Sequence, residues 1–134
     1  EHSFAPDWRE QTLDFMREAR AERSFQVWHA CVDEQVVASA GAELYELYPQ
    51  LFMAPAMPQG LIWGVFVEPG FRRRGIARAL MLRCIEELRR EGCVKVRLHT
   101  SLMGRRLYES LGFEATNEMQ LDLTTLTPAM RPLV

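Results

Sequence analysis

Leu61-Ile62-Trp63-Gly64-Val65-Phe66-Val67-Glu68-Pro69-Gly70-Phe71-Arg72-Arg73-Arg74-Gly75-Ile76-Ala77 is the stretch on which the fold turns. Its first seven residues are an almost continuous apolar run, the pattern of a strand buried on both faces. Gly64 inside the run predicts a bulge or a close backbone approach. Pro69-Gly70 ends the strand, and the arginine-glycine turn leads into the clearest helix of the chain. Over residues 75–91, Ile76, Leu80, Met81, Cys84, Ile85 and Leu88 make an apolar stripe, while Arg78, Arg83, Glu86, Glu87 and Arg90 face water. Gly92 is the expected C-cap. Beyond it Val94, Val96 and Leu98 alternate with Lys95, Arg97 and His99 in a strand over 94–101. Strand, helix and strand form a βαβ crossover, which predicts parallel neighbours.

Upstream, Asp7-Trp8-Arg9-Glu10 reads as a capping box. Trp8, Thr12, Phe15, Met16 and Ala19 share one face of a helix over 7–22. Phe25 to Val32 and Val36 to Leu47 read as a hairpin broken at Asp33-Glu34-Gln35. Three prolines, Pro49, Pro55 and Pro58, predict a loop over 49–60. Downstream a short helix around Arg105–Leu111 is stopped by Gly112, and a last strand runs from Phe113 to about Leu123. The tail after Thr124 is irregular. The expected fold class is mixed α/β in one domain, residues 1–134.

At 48% apolar and 25% charged residues the 134-residue chain has an ordinary globular composition. Its formal charge of −2 gives no global electrostatic reason to bind nucleic acid or an anionic membrane. Cys31, Cys84 and Cys93 have neither disulfide nor zinc spacing, so no metal is expected. No apolar run approaches the roughly 18 residues of a membrane span, and no signal peptide is visible, so a cytoplasmic location is expected.

The strand-to-helix junction is a place for an anion. Ligands of open α/β sheets sit at the carboxyl ends of strands, against the amides of the next helix. Gly75 and Ala77 let a phosphate come close to the backbone, and Arg72, Arg73 and Arg74 add positive charge. Solvated surface arginines and a tight turn are the plain alternative. The turn is neither a Walker A loop nor a dinucleotide fingerprint.

Arg72-x-x-Gly75-x-Ala77 resembles the acetyl-CoA signature of the GNAT N-acetyltransferase superfamily, Gln/Arg-x-x-Gly-x-Gly/Ala. The apolar strand ending at Pro69, the Leu107-Tyr108-Glu109-Ser110-Leu111-Gly112-Phe113 segment and Thr116-Asn117-Glu118-Met119 are similar to further family features, in consistent order over about residues 7–123. The resemblance implies an acetyl-CoA-dependent N-acetyltransferase fold whose signature strand splays from its parallel neighbour. The backbone of Phe66 and Val67 would pair with the pantetheine arm. Amides from Arg73 through Arg74, Gly75, Ile76 and Ala77 to Arg78 would hold the pyrophosphate. Ser101 stands where many members carry an asparagine toward the same arm.

Tyr108 matches the tyrosine that protonates the departing thiolate, a transfer between groups of comparable pKa. His99 and Glu68 are alternative bases for the acceptor amine. The acceptor is a small-molecule or peptide amine, which the sequence does not name. A non-catalytic acyl-CoA-binding module is the alternative function, and nucleic-acid binding through the arginines is disfavoured. Residues 1–6 are too few for the strand and helix with which the family usually opens. The resemblance therefore implies either a fragment or a shortened member whose sheet edge a partner covers, as in a homodimer. Leu51, Phe52, Met53 and Met57 would then wall the acceptor site or make a dimer contact.

Overall fold

The structure is a computed structural model that describes residues 5–45 and 58–125. Residues up to His99 form one compact unit and those from Thr100 a second. The loop side chains Leu51, Phe52, Met53 and Met57 and most of the proline-marked loop lie outside the described residues.

The first unit carries helix α1 (Trp8–Arg23), strands β1 (Gln26–Val32), β2 (Gln35–Tyr45) and β3 (Gln59–Val67), helix α2 (Ile76–Arg90) and strand β4 (Lys95–Leu98). The sheet order is β1-β2-β3-β4. The first two pairings are antiparallel and the last is parallel, as the crossover predicts. The hairpin closes with Val32 opposite Gln35. Asp33 and Glu34 both have positive φ, 48° and 66°, so a primed turn forms without its preferred Asn-Gly.

α2 covers one face of the sheet because that face is lined with small residues. Ala38, Ala40, Ala42 and Gly60 leave room for Leu80, Met81, Cys84 and Leu88, all buried. Burying each large side chain of that stripe contributes roughly 1.5–3 kcal/mol. Gly60 is a required small residue: a Cβ there would lie 2.5–2.9 Å from the Leu88 isobutyl group. Gln26 Nε2 donates to Glu87 at 3.2 Å, which ties the edge strand to the same helix. Gly92, φ 86°, follows the helix end, with the Cys93 amide donating to the Leu88 carbonyl.

Four expectations are corrected. Asp7 does not cap α1: its φ of −104° and ψ of 17° keep the carboxylate from the first-turn amides, and it accepts from Gln11 Nε2 at 2.8 Å instead. The α1 stripe is only partly buried, with Ala19 enclosed but Trp8 and Phe15 37% and 47% exposed. β3 begins at Gln59, inside the expected loop, because Tyr45 and Leu44 give Gln59 and Gly60 a ladder partner. No strand forms over Phe113–Leu123: Met119, Leu121 and Leu123 are exposed, and the segment finds no ladder partner among the described residues.

Among the described residues the second unit holds helix α3 (Arg105–Ser110) and a 3₁₀ turn at Leu123–Thr125. After α3, Gly112 takes φ 96° and the Phe113 amide returns to the Tyr108 carbonyl at 3.0 Å.

Candidate active site

β3 is paired on its two sides over different lengths. Toward β2 the ladder runs from Gln59 to Val67. Toward β4 it stops after four pairs, at Ile62 opposite Leu98. From Trp63 to Val67 one backbone edge of β3 therefore has no β4 partner, and its amides and carbonyls face a fork. Gly64 sets this up. Its φ of 68° and the register shift between Ser39 and Gly41 form a bulge that turns the strand. Ser39 Oγ donates to the Gly64 carbonyl at 2.9 Å and holds the bulge to β2.

The open half of β3 leads into the arginine-glycine turn. The Glu68 amide donates to the Val37 carbonyl at 2.8 Å and fixes the strand end. Pro69–Phe71 make one 3₁₀ turn. Arg73, φ 62°, and Gly75, φ 79°, are both left-handed, a backbone that exposes successive amides in a concave nest. The first backbone bond of α2 runs from the Ala79 amide to the Gly75 carbonyl, so the amides of Ile76 and Ala77 point out of the helix end with its positive partial charge. A Cβ at Gly75 would meet no protein atom within 4 Å.

The arginines differ in what holds them. Arg72 Nε donates to the Val67 carbonyl at 2.9 Å, with its guanidinium 5.8 Å from the Phe66 ring centroid. Arg74 lies 5.3 Å over the Phe71 ring. The turn thus gathers Phe66, Val67, Glu68, Arg72, Arg73, Arg74, Gly75, Ile76, Ala77 and Arg78 around one strand end. His99 follows the end of β4 and is exposed.

Tyr108 and Ser101 belong to the second unit. Tyr108 is buried, its ring edge-to-face with Phe113 at 5.9 Å, and burial pushes its phenol above the ordinary pKa of 10. Gly104 allows this packing, since a Cβ there would come within 2.8 Å of the ring. Ser101 Oγ accepts from the Gly104 amide at 3.2 Å and so shapes the approach to α3.

A second cluster lies on the sheet face away from α2. Trp63 stacks on Phe25 at 4.7 Å and meets Phe15 edge-on at 5.5 Å. Arg23 sits 5.2 Å over Phe15, its Nε 3.5 Å from the buried carboxylate of Glu43. Arg23 Nη2, Glu43 Oε2 and Trp63 Nε1 are buried without hydrogen-bond partners among the described residues. Beside them Arg97 Nε donates to the buried Gln59 Oε1 at 2.9 Å. No sequence motif marks Arg23, Glu43, Gln59, Trp63 or Arg97. Glu43 was the available signal, a carboxylate inside the small-residue run of β2.

The profile of the acetyltransferase (GNAT) family matches residues 1–113. The chain belongs to the GNAT acetyltransferase family. Over 65 residues it is 42% identical to a glucosamine 6-phosphate N-acetyltransferase of Trypanosoma brucei brucei, a match that spans 48% of this chain and 44% of that protein. The chain thus matches under half the length of this relative. It is similar to the crystal structure of a predicted acetyltransferase from Clostridium acetobutylicum with acetyl-CoA, at TM-score 0.80 and 25% identity, covering 92% of this chain and 80% of that one. A GCN5-related N-acetyltransferase from Ralstonia eutropha JMP134 matches at TM-score 0.76 and 28% identity, covering 86% and 75%. As a GNAT member the chain shares its fold with proteins that use acetyl-CoA. Among the described residues no helix is long and apolar enough to cross a membrane.

Proposed function

We propose that this GNAT domain transfers the acetyl group of acetyl-CoA to a primary amine by direct attack. The observation that carries the reading is the half-paired β3, whose open edge ends at the exposed amides of α2. That edge suits an amide-bearing arm added like a strand. The helix end and the left-handed turn suit a pyrophosphate.

In this reading the backbone of Phe66 and Val67 pairs with the pantetheine arm, and amides from Arg73 to Arg78 hold the pyrophosphate. Arg72 is a brace for the strand end as well as a charge, because its Nε is engaged with Val67. Ser101 keeps the hydrogen bond to the arm that the family resemblance implies. The deprotonated amine attacks the thioester carbonyl carbon, a C–N bond forms, and the C–S bond breaks. Tyr108 gives its proton to the departing sulfur, and His99 or Glu68 takes the proton from the amine. A phenol whose pKa is raised by burial stays protonated at neutral pH and remains a competent donor.

The experiment is release of free thiol from acetyl-CoA across an amine panel. Glucosamine 6-phosphate, named in the trypanosomal relative, heads the panel, followed by polyamines, aminoglycosides, amino acids and peptide N-termini. Amine-dependent thiol release is expected. Tight CoA binding with no amine-dependent release would instead favour a non-catalytic acyl-CoA-binding module.

A further inference from the structure

We infer that Arg97 forms an oxyanion subsite for the acceptor, so that the preferred amine carries a phosphate or carboxylate. The inference rests on the acyl-transfer reading and starts from the fork. If the pyrophosphate lies at the start of α2 and the arm follows β3 from Val67 back to Trp63, the arm spans four residue steps, about 13 Å at ~3.3 Å per residue. The acyl group then arrives at Trp63, the first β3 residue past the last β3–β4 pair of Ile62 and Leu98.

An acceptor must reach that point from one side of the sheet. The α2 side is closed by Leu88 against Gly60 and by the buried Leu80, Met81 and Cys84. The opposite face is less covered at the fork, where Leu61 and Trp63 are half-buried while Ile62, on the α2 side, is enclosed. Three contacts identify its residues. Phe25 stacks on Trp63, Phe25 also fills the space over Gly41, and Gln59 bonds Arg97. Gln59, Leu61 and Trp63 therefore share this face of β3, and Glu43 and Arg97 flank it on β2 and β4.

The charges on this face do not cancel. Glu43 is countered by Arg23 at 3.5 Å. Arg97 has no carboxylate within ion-pair distance among the described residues. Its register partner is Leu61, one pair before the fork, and Lys95, two residues back, adds a second positive charge on the same face. Arg97 is half-buried, and Gln59, only 6% exposed, holds its Nε. That leaves the two Nη groups in a fixed plane, the geometry with which guanidinium binds an oxyanion through paired hydrogen bonds. The subsite lies ~7 Å along the strand from Trp63, so a spacer of about six carbons separates amine from anion.

Matched probes test this. 6-Aminohexyl phosphate is compared with 6-aminohexan-1-ol, and 6-aminohexanoate with hexylamine, in acetyl-CoA turnover and in calorimetric binding to CoA-saturated protein. The anionic member of at least one pair should be preferred roughly 10- to 100-fold, and the pair with the larger ratio identifies phosphate or carboxylate. Arg97→Ala should collapse that ratio. Arg97→Gln, which can still bond Gln59 but carries no charge, should collapse it equally, so a folding defect is not mistaken for loss of the subsite. Equal handling of both members in each pair overturns the inference, as does a preference that survives both substitutions. Failure of every amine to turn over, with the anion preference intact in calorimetry, overturns the transfer reading and leaves the subsite standing.

Discussion

Replacing Gly75 by alanine separates what the turn does for folding from what it does for the cofactor. Gly75 holds φ 79° at the start of α2, and an added Cβ meets no protein atom within 4 Å. The folding cost is therefore backbone strain alone, about 1–2 kcal/mol for an L-residue in the left-handed region. For a chain of 134 residues this lowers Tm by roughly 4–7 °C. The methyl group, however, adds bulk next to the amides of Ile76 and Ala77 that the proposed cradle uses. Loss of one charge-assisted hydrogen bond to a phosphate costs about 1.5–3 kcal/mol, which raises the Kd for CoA about 10- to 150-fold. Gly92→Ala is the control, because Gly92 has φ 86°, equally open surroundings and a place at the other end of α2. Thermal melts and calorimetric titration of CoA on both variants decide the matter. Equal Tm losses with the CoA affinity of Gly75→Ala equal to that of Gly92→Ala would refute the cradle.

Tyr108→Phe should lower kcat by about 10²- to 10⁴-fold with little change in CoA affinity, and an unchanged kcat would remove the phenol from the chemistry. Because burial raises the Tyr108 pKa above 10, the acid form persists through neutral pH, and the rate loss due to its ionisation should begin only above pH 10; a kcat–pH profile with a tyrosine-linked limb below that contradicts the assignment. Gly60→Ala should destabilise by about 1–3 kcal/mol through overpacking on Leu88, and Leu88→Ala in the same chain should give a double-mutant coupling of opposite sign; additive Tm losses would argue against the contact. Burial pushes the Cys84 thiol from 9.0 up to about 12, so between those values the unfolded chain releases the proton first. Its contribution to stability is intact below about pH 9 and declines toward pH 12, by up to ~1.4 kcal/mol per unit; urea melts of Cys84→Ala should lack this part of the alkaline decline, and identical declines would contradict the buried thiol.

The crossover was legible because three local signals agreed: an apolar run, a helical stripe of Leu80, Met81, Cys84 and Leu88, and glycine at both helix ends. The turn at Gly75 was legible for the same reason. What was not legible depends on partners distant in sequence. Phe113–Leu123 has strand-like residues, yet a strand needs a neighbouring ladder, which composition does not reveal. Asp7 has the right identity for a cap but the wrong backbone angles. The fork arises from register, four β3–β4 pairs against a longer β2 ladder, and no motif encodes its length. Glu43 is enclosed by Arg23 from α1 and by neighbouring strands, so its burial is tertiary. Arg97 reads as the polar half of an alternating strand until Gln59 is seen to hold it.

In the proposed function, the half-open β3 and the Gly75 turn receive acetyl-CoA for transfer to an amine. Free-thiol release monitored with acetyl-CoA and the amine panel, with mass detection of the acetylated product, tests it most directly. Amine-dependent thiol release is expected, matched one-to-one by N-acetyl product, and lost in Gly75→Glu, where bulk and negative charge oppose the pyrophosphate. Thiol release that does not depend on amine, or that is unaltered by Gly75→Glu, would contradict it.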